Sequence, residues 1–121
     1  MSNASLSTLV QSHSIELLRI RSELDLSRER MARLFDVSAK TIERWEARRT
    51  LPRDHAARKL LSELREMVDL GKAIYGAEGF HRFLALPIPS AGQATPLQLI
   101  ERGEIASVLA ALATDYEGLG A

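Results

Sequence analysis

The side chains that could do chemistry in this chain are cationic, and they cluster in one stretch. Lys40 and Arg44 stand four residues apart with Thr41 between them, Ser38 and Ala39 just before, and Arg48 and Arg49 just after. On a helix that spacing puts Lys40, Arg44 and Arg48 on one face. Lysine and arginine donors so placed suit the guanine acceptors of a DNA major groove, and a threonine beside them suits a thymine methyl group or a phosphate. Arg28 opens the preceding segment, and Arg48, Arg49 and Arg53 lie past the cluster. Those positions fit phosphate contacts, which give salt-dependent affinity without sequence information. Between Arg28 and Lys59 ten Lys and Arg face five Asp and Glu, a net charge of +5 in a chain whose formal charge is zero, so the remainder carries −5. Such asymmetry marks one part of the chain for a polyanion and another part for something else.

Other chemistries find little support. The chain has no cysteine, which excludes disulfides and thiolate metal sites. In the second half His81 is the only histidine, Glu78 and Glu101 stand at no metal-ligand spacing to it, and no nucleophile sits beside a plausible base. We therefore expect no enzymatic activity, no metal and no cofactor. Nothing approaches an apolar run of about 18 residues, and the N-terminus lacks the basic-then-apolar order of a signal peptide. A cytoplasmic protein without membrane contact is expected.

The elements that must position the cationic cluster read as helices throughout. Ile15, Leu18 and Leu24, with Ile20 or Arg21 between them, predict a first helix from about Ser14 to Leu24. Ser27 suits the N-cap of a second, with Glu29 in the first turn, where the helix dipole favours an anion. Met31, Leu34 and Phe35 form its apolar face. Asp36–Val37 is a short turn, Ser38 the next N-cap, and Ile42 and Trp45 the buried side of a third helix before Pro52. Two short helices joined by so short a turn need a small residue where they cross, which Ala32 supplies, and a hydrophobe after the turn, which Val37 supplies.

Further on, Ala57, Leu60, Leu61, Leu64, Met67 and Val68 recur at helical spacing and predict a helix from about Asp54 to Gly71. Gly71 and Gly76 bracket Ile74–Tyr75, and a short helix from Ala77 to Leu86 carries Phe80, Phe83 and Leu84. Pro87–Gly92 is a loop. Thr95 reads as an N-cap with Pro96 at the first helical position, Gly103 breaks that helix, and Ile105, Val108, Leu109 and Leu112 mark a last one ending near Tyr116–Gly118. The expected architecture is all-α in two parts, residues 1–58 and 59–121.

Leu26-Ser27, Met31-Ala32, Val37-Ser38, Thr41-Ile42, Arg44-Trp45-Glu46 and Pro52 together resemble the Xre, or lambda-repressor-like, helix-turn-helix family of bacterial regulators. Asp36 stands where that family usually turns on glycine, and aspartate tolerates the left-handed conformation better than most residues. Ala47 replaces a second usual glycine and prolongs the helix. The second half, with Phe80–Leu86, Pro87–Gly92, Thr95-Pro96-Leu97, Leu99-Ile100, Gly103-Glu104 and Val108-Leu109, resembles the C-terminal toxin-binding domain of the Xre/MbcA/ParS antitoxins. Phe83 replaces that family's usual tryptophan, and Gly92-Gln-Ala stretches its usual small-residue and glycine pair.

The resemblance implies a type II antitoxin that neutralises a toxin of the NAD⁺-consuming RES class and represses its own operon as a homodimer on double-stranded operator DNA. It implies Phe83, Pro96, Leu109, Leu112, Tyr116 and Leu119 as toxin contacts, with Leu109 to Ala121 as the inhibitory element. The alternative is a stand-alone regulator of the Xre family whose C-terminal half only dimerises.

Overall fold

The computed structural model describes residues 16–48 and 54–120. They form helices, with one isolated β-bridge between Ile88 and Ala94 as the only extended pairing among them. The fold is all-α. Helix α1 covers residues 16–24, α2 Arg28–Phe35, α3 Ala39–Arg48, α4 His55–Leu84, α5 Pro96–Glu101 and α6 Ile105–Gly120, with a short 3₁₀ turn at Pro89–Ala91. The chain divides into two compact units, Met1–Ser62 and Glu63–Ala121, so the division falls inside α4, where the sequence suggested 58/59.

In the first unit the local signals act as read. The Arg30 N–H donates to Ser27 Oγ at 3.2 Å, capping α2, and Glu29 sits in the first turn. Asp36 ends the helix in the left-handed region at φ 56°, ψ 46°, and its N–H reaches back to the carbonyls of Ala32 and Arg33. The turn therefore survives without glycine. Ser38 Oγ accepts from the Thr41 N–H at 3.1 Å and caps α3. Ala47 lies inside α3 and prolongs it to Arg48. Met31, Ala32 and Phe35 of α2 and Ile42 and Trp45 of α3 are buried, and the Phe35 and Trp45 rings meet edge to face at 6.1 Å. One face was misassigned. Leu17, Ile20 and Leu24 are the buried residues of α1, at spacings of three and four, and Leu18 is 47% exposed. Ile15 lies outside the described residues.

In the second unit the glycines differ in role. Gly76 breaks α4 with φ 75° and ψ 174°, a backbone region open essentially to glycine alone. Gly71, expected to end a helix, instead lies buried within one. A Cβ built there would overlap the Phe80 ring, so this glycine is a packing residue: it lets the segment after the corner fold closely onto the segment before it. Phe80 is wholly buried as a result.

Thr95 caps α5 by accepting from Gln98 N–H at 3.1 Å, while Gln98 Oε1 accepts from Thr95 N–H at 2.9 Å, a reciprocal capping box. Gly103, at φ 81°, turns the chain into α6, which packs against α5. Leu99, Ile100, Ile105, Val108 and Leu112 close this core.

The corner makes two substitutions informative. Gly76→Ala is expected to destabilise the protein by about 1–3 kcal/mol through backbone strain alone, since nothing lies within 4 Å of the added Cβ. Gly71→Ala should cost a similar ~1–3 kcal/mol through overpacking against Phe80. Urea unfolding followed by circular dichroism reads both, and Gly71→Ala at wild-type stability would refute the packing role.

Candidate nucleic-acid interface and apolar groove

The outward face of α3 follows from its inward one. With Ile42 and Trp45 committed to the core, the positions between them must face water. Lys40, Glu43, Arg44 and Ala47 are exposed and line a shallow hollow on that face. Ala39 and Thr41 are half-buried. Thr41 Oγ1 lies 2.9 Å from Ser38 Oγ, and an Arg44 Nη2–H points to it at 3.4 Å. Ser38, Thr41 and Arg44 thus form a short polar chain from the cap of α3 along its outer face. The side chain of Arg48 and residues Arg49 and Arg53 lie outside the described residues.

An ion triad centred on one buried carboxylate holds α3 in place. Glu46, whose side chain is 4% exposed, accepts from Arg21 Nε at 2.7 Å and from Arg21 Nη2 at 3.2 Å. It also accepts from Arg28 Nε at 3.1 Å. Arg21 reaches further to the Leu26 carbonyl at 3.2 Å. One carboxylate therefore ties α3 to α1, to the start of α2 and to the link between them. Arg28, expected to grip phosphate, is engaged in this brace through Nε while its side chain stays 44% exposed. The network was missed at the sequence level because its members are 18 and 25 residues apart and no periodicity joins them.

The second unit contains a groove of about 630 Å³ lined by α4 on both sides of its corner, the Pro87–Ser90 segment and one side of α6. Its floor is aromatic. Tyr75 and Phe83 stack with centroids 5.1 Å apart, and Phe83 continues to Phe80 at 6.3 Å. The Tyr75 hydroxyl donates to Asp115 on α6. Burial beside the rings raises the Tyr75 pKa, and the Asp115 hydrogen bond and negative charge raise it further, to about 12.

The residues implied as toxin contacts scatter. Phe83 is half-buried in the groove, Leu109 is half-buried, and Tyr116 is 61% exposed on the last turns of α6. Pro96 and Leu112 are buried and fill the core of the unit. The Leu119 side chain lies outside the described residues. Among the described residues no cluster of His, Asp or Glu could hold a metal ion, and no helix is long and apolar enough to cross a membrane.

The fold is similar to that of a chain in the crystal structure of the M. tuberculosis MbcT–MbcA toxin–antitoxin complex, with a TM-score of 0.63 and 21% sequence identity over 87% of this chain and 94% of that one. No protein-family model matches the chain. No curated protein matches it in sequence.

Two measurements check the site's electrostatics. Glu46→Ala removes charged hydrogen bonds from two arginines that can regain water, so a loss of about 1–3 kcal/mol is expected in denaturant unfolding. Tyr75 has a folded pKa above its unfolded value of 10.0, so the stability it contributes is present below pH 10 and lost as pH rises towards about 12. In a Tyr116→Phe variant, which leaves Tyr75 as the only tyrosine, phenolate absorbance should titrate near pH 12. Adding Asp115→Asn should lower that midpoint, and an unchanged midpoint would remove Asp115 as a cause.

Proposed function

We propose that this chain is the antitoxin of a type II toxin–antitoxin pair. In this reading α2 and α3 form a helix-turn-helix of the Xre type that binds operator DNA and represses the chain's own operon. The second unit binds the cognate toxin, of the NAD⁺-consuming RES class. The protein works as a cytoplasmic homodimer, needs no cofactor and catalyses no reaction itself.

The observation that carries the reading is the extent of the fold likeness. A match over 87% of this chain must include most of both units. The likeness to a chain of a toxin–antitoxin complex thus extends into both units, rather than resting on a helix pair common to many proteins. Support for the DNA half comes from the α3 outer face, where Lys40 and Arg44 stand exposed and the core residues of the same helix face away. In this mode the N-terminal part of the second helix meets base edges. Ala39, Lys40 and Thr41 occupy that part.

Support for the toxin half comes from the end of α6. Residues 113–118 are exposed all round the helix, and Tyr116 projects a large ring into water. Amphipathic aromatics of this kind are enriched where proteins bind one another. The toxin contact is accordingly placed on the terminal turns of α6, with Tyr116 its anchor.

Both halves can be tested separately. A gel-shift assay with the promoter upstream of this gene should show binding that weakens steeply with salt. Lys40→Ala and Arg44→Ala should each cost about 1–3 kcal/mol of specific binding. Binding by the double variant equal to wild type would sink the assignment of α3. Expressed alone, the product of the adjacent gene should arrest growth and deplete NAD⁺. Co-expression with this chain should restore growth, and Tyr116→Ala should weaken the purified complex by about ten-fold or more. If the neighbour is harmless and does not co-purify, the reading as a stand-alone regulator replaces this one.

A further inference from the structure

The groove in the second unit has features that Tyr116, the proposed toxin anchor, does not use. Its floor is the stacked Tyr75–Phe83 pair, and its lip is Leu86, 59% exposed. Two charges of opposite sign stand on its rim. Arg82, from α4, is exposed, and its guanidinium makes no ion pair or hydrogen bond among the described residues. Asp115, from α6, is held at the rim by the Tyr75 hydroxyl.

We propose that this groove seats a second copy of the chain, with Arg82 of each copy against Asp115 of the other and Leu86 of each copy entering the facing groove. The inference rests on the reading above, in which paired half-sites call for a twofold protein, and it assigns the surface that makes the pair.

The argument is one of complementarity. A twofold interface places one patch against itself, so the patch must be its own complement. A rim of single sign fails that condition, because like charges would meet. A rim with one cation and one anion satisfies it twice over, since rotation sets each arginine over an aspartate. Asp115 can take part without releasing Tyr75, because a carboxylate offers about four lone-pair sites and the tyrosine uses one. An exposed leucine beside an open apolar groove supplies the matching knob.

The overall charge of the unit adds selectivity. Residues 63–121 hold four Lys and Arg against eight Asp and Glu, a net −4. Two such units repel overall, and the reciprocal Arg82–Asp115 pairs are the contacts that offset this where the patches meet.

Sedimentation velocity of the full chain tests this. The wild-type protein should sediment as a dimer at micromolar concentration. Arg82→Glu and Asp115→Arg should each weaken the dimer by about ten-fold or more, because each sets like charges together twice. The double variant Arg82→Glu/Asp115→Arg restores both pairs with their signs exchanged and should recover the dimer. A monomeric wild type, or single reversals that leave the dimer intact, would overturn the proposal.

Asp115→Arg also removes the Tyr75 bond, so thermal melts should accompany each sample. If that variant does not fold, Leu86→Asp decides. This exposed position should keep the wild-type melting temperature and lose the dimer, and a dimer that persists in it counts against the groove. A wild-type dimer abolished by these changes but unable to bind the promoter would remove the DNA reading and leave the interface. A monomer that still binds promoter or toxin would do the reverse.

Discussion

Glu46 is an ionised side chain that the fold has taken almost entirely out of water, with 4% of its surface exposed. A carboxylate in that position is tolerable only when paired and hydrogen-bonded, because its lost hydration must be replaced. Arg21 and Arg28 supply the pairing from two other helices. The requirement acts in both directions. α3 cannot rotate about its axis without stranding the charge, and α1 and α2 cannot shift without withdrawing their arginines. Apolar packing around Ile42 and Trp45 is strong but nearly non-directional, and alone it would tolerate small rotations. The triad removes that freedom. The exposed residues of α3 are therefore presented at a fixed azimuth.

Backbone conformation does the corresponding work at the corners. Asp36, Gly76 and Gly103 all adopt positive φ, and each ends one helical segment and aims the next. Their surroundings differ. Asp36 carries a side chain at φ 56°, so the strain is borne by a residue that bonds back to Ala32 and Arg33. Gly76 combines positive φ with an extended ψ, which hardly any side chain permits. The corner there brings Phe80 onto Gly71, and from that contact the aromatic series Phe80, Phe83 and Tyr75 extends to the groove. A single torsional requirement thus lies upstream of the groove's floor.

What could be read from the sequence follows this division between local and distant. Ser27, Ser38 and Thr95 announce caps because each acts on the residue three positions on, and Asp36 announces a turn for the same local reason. The helical spacing of Ile42 and Trp45 fixes the outward position of Lys40 and Arg44 without any knowledge of the rest. The Glu46 triad and the Tyr75–Asp115 bond join residues 18 to 40 apart, and no local pattern encodes such a partner. The same limit explains Leu18, Pro96 and Leu112. Periodicity states that a face is apolar, but it does not say whether a residue on it closes the core or faces outward. Two neighbouring candidates such as Leu17 and Leu18 differ by 100° around the helix, and only packing decides between them. Gly71 shows a further ambiguity: a glycine inside a helical pattern signals either a break or a close approach, and the partner that distinguishes them, Phe80, lies beyond the next glycine.

The zero net charge conceals a separation that the division into units makes explicit. Residues 1–62 carry twelve Lys and Arg against eight Asp and Glu, and residues 63–121 carry the reverse imbalance, so the units hold +4 and −4. A polyanion would attract the first and repel the second. At physiological ionic strength such forces fade over about 8 Å, so each unit's charge acts mainly on what touches that unit. The acidic imbalance of the second unit therefore bears little on what the first unit meets. For the second unit the useful charges are the few that face apolar ground. Arg82 and Asp115 on the groove rim are of that kind. Their worth lies in choosing which apolar surface may enter, and the rings and leucine supply the attraction.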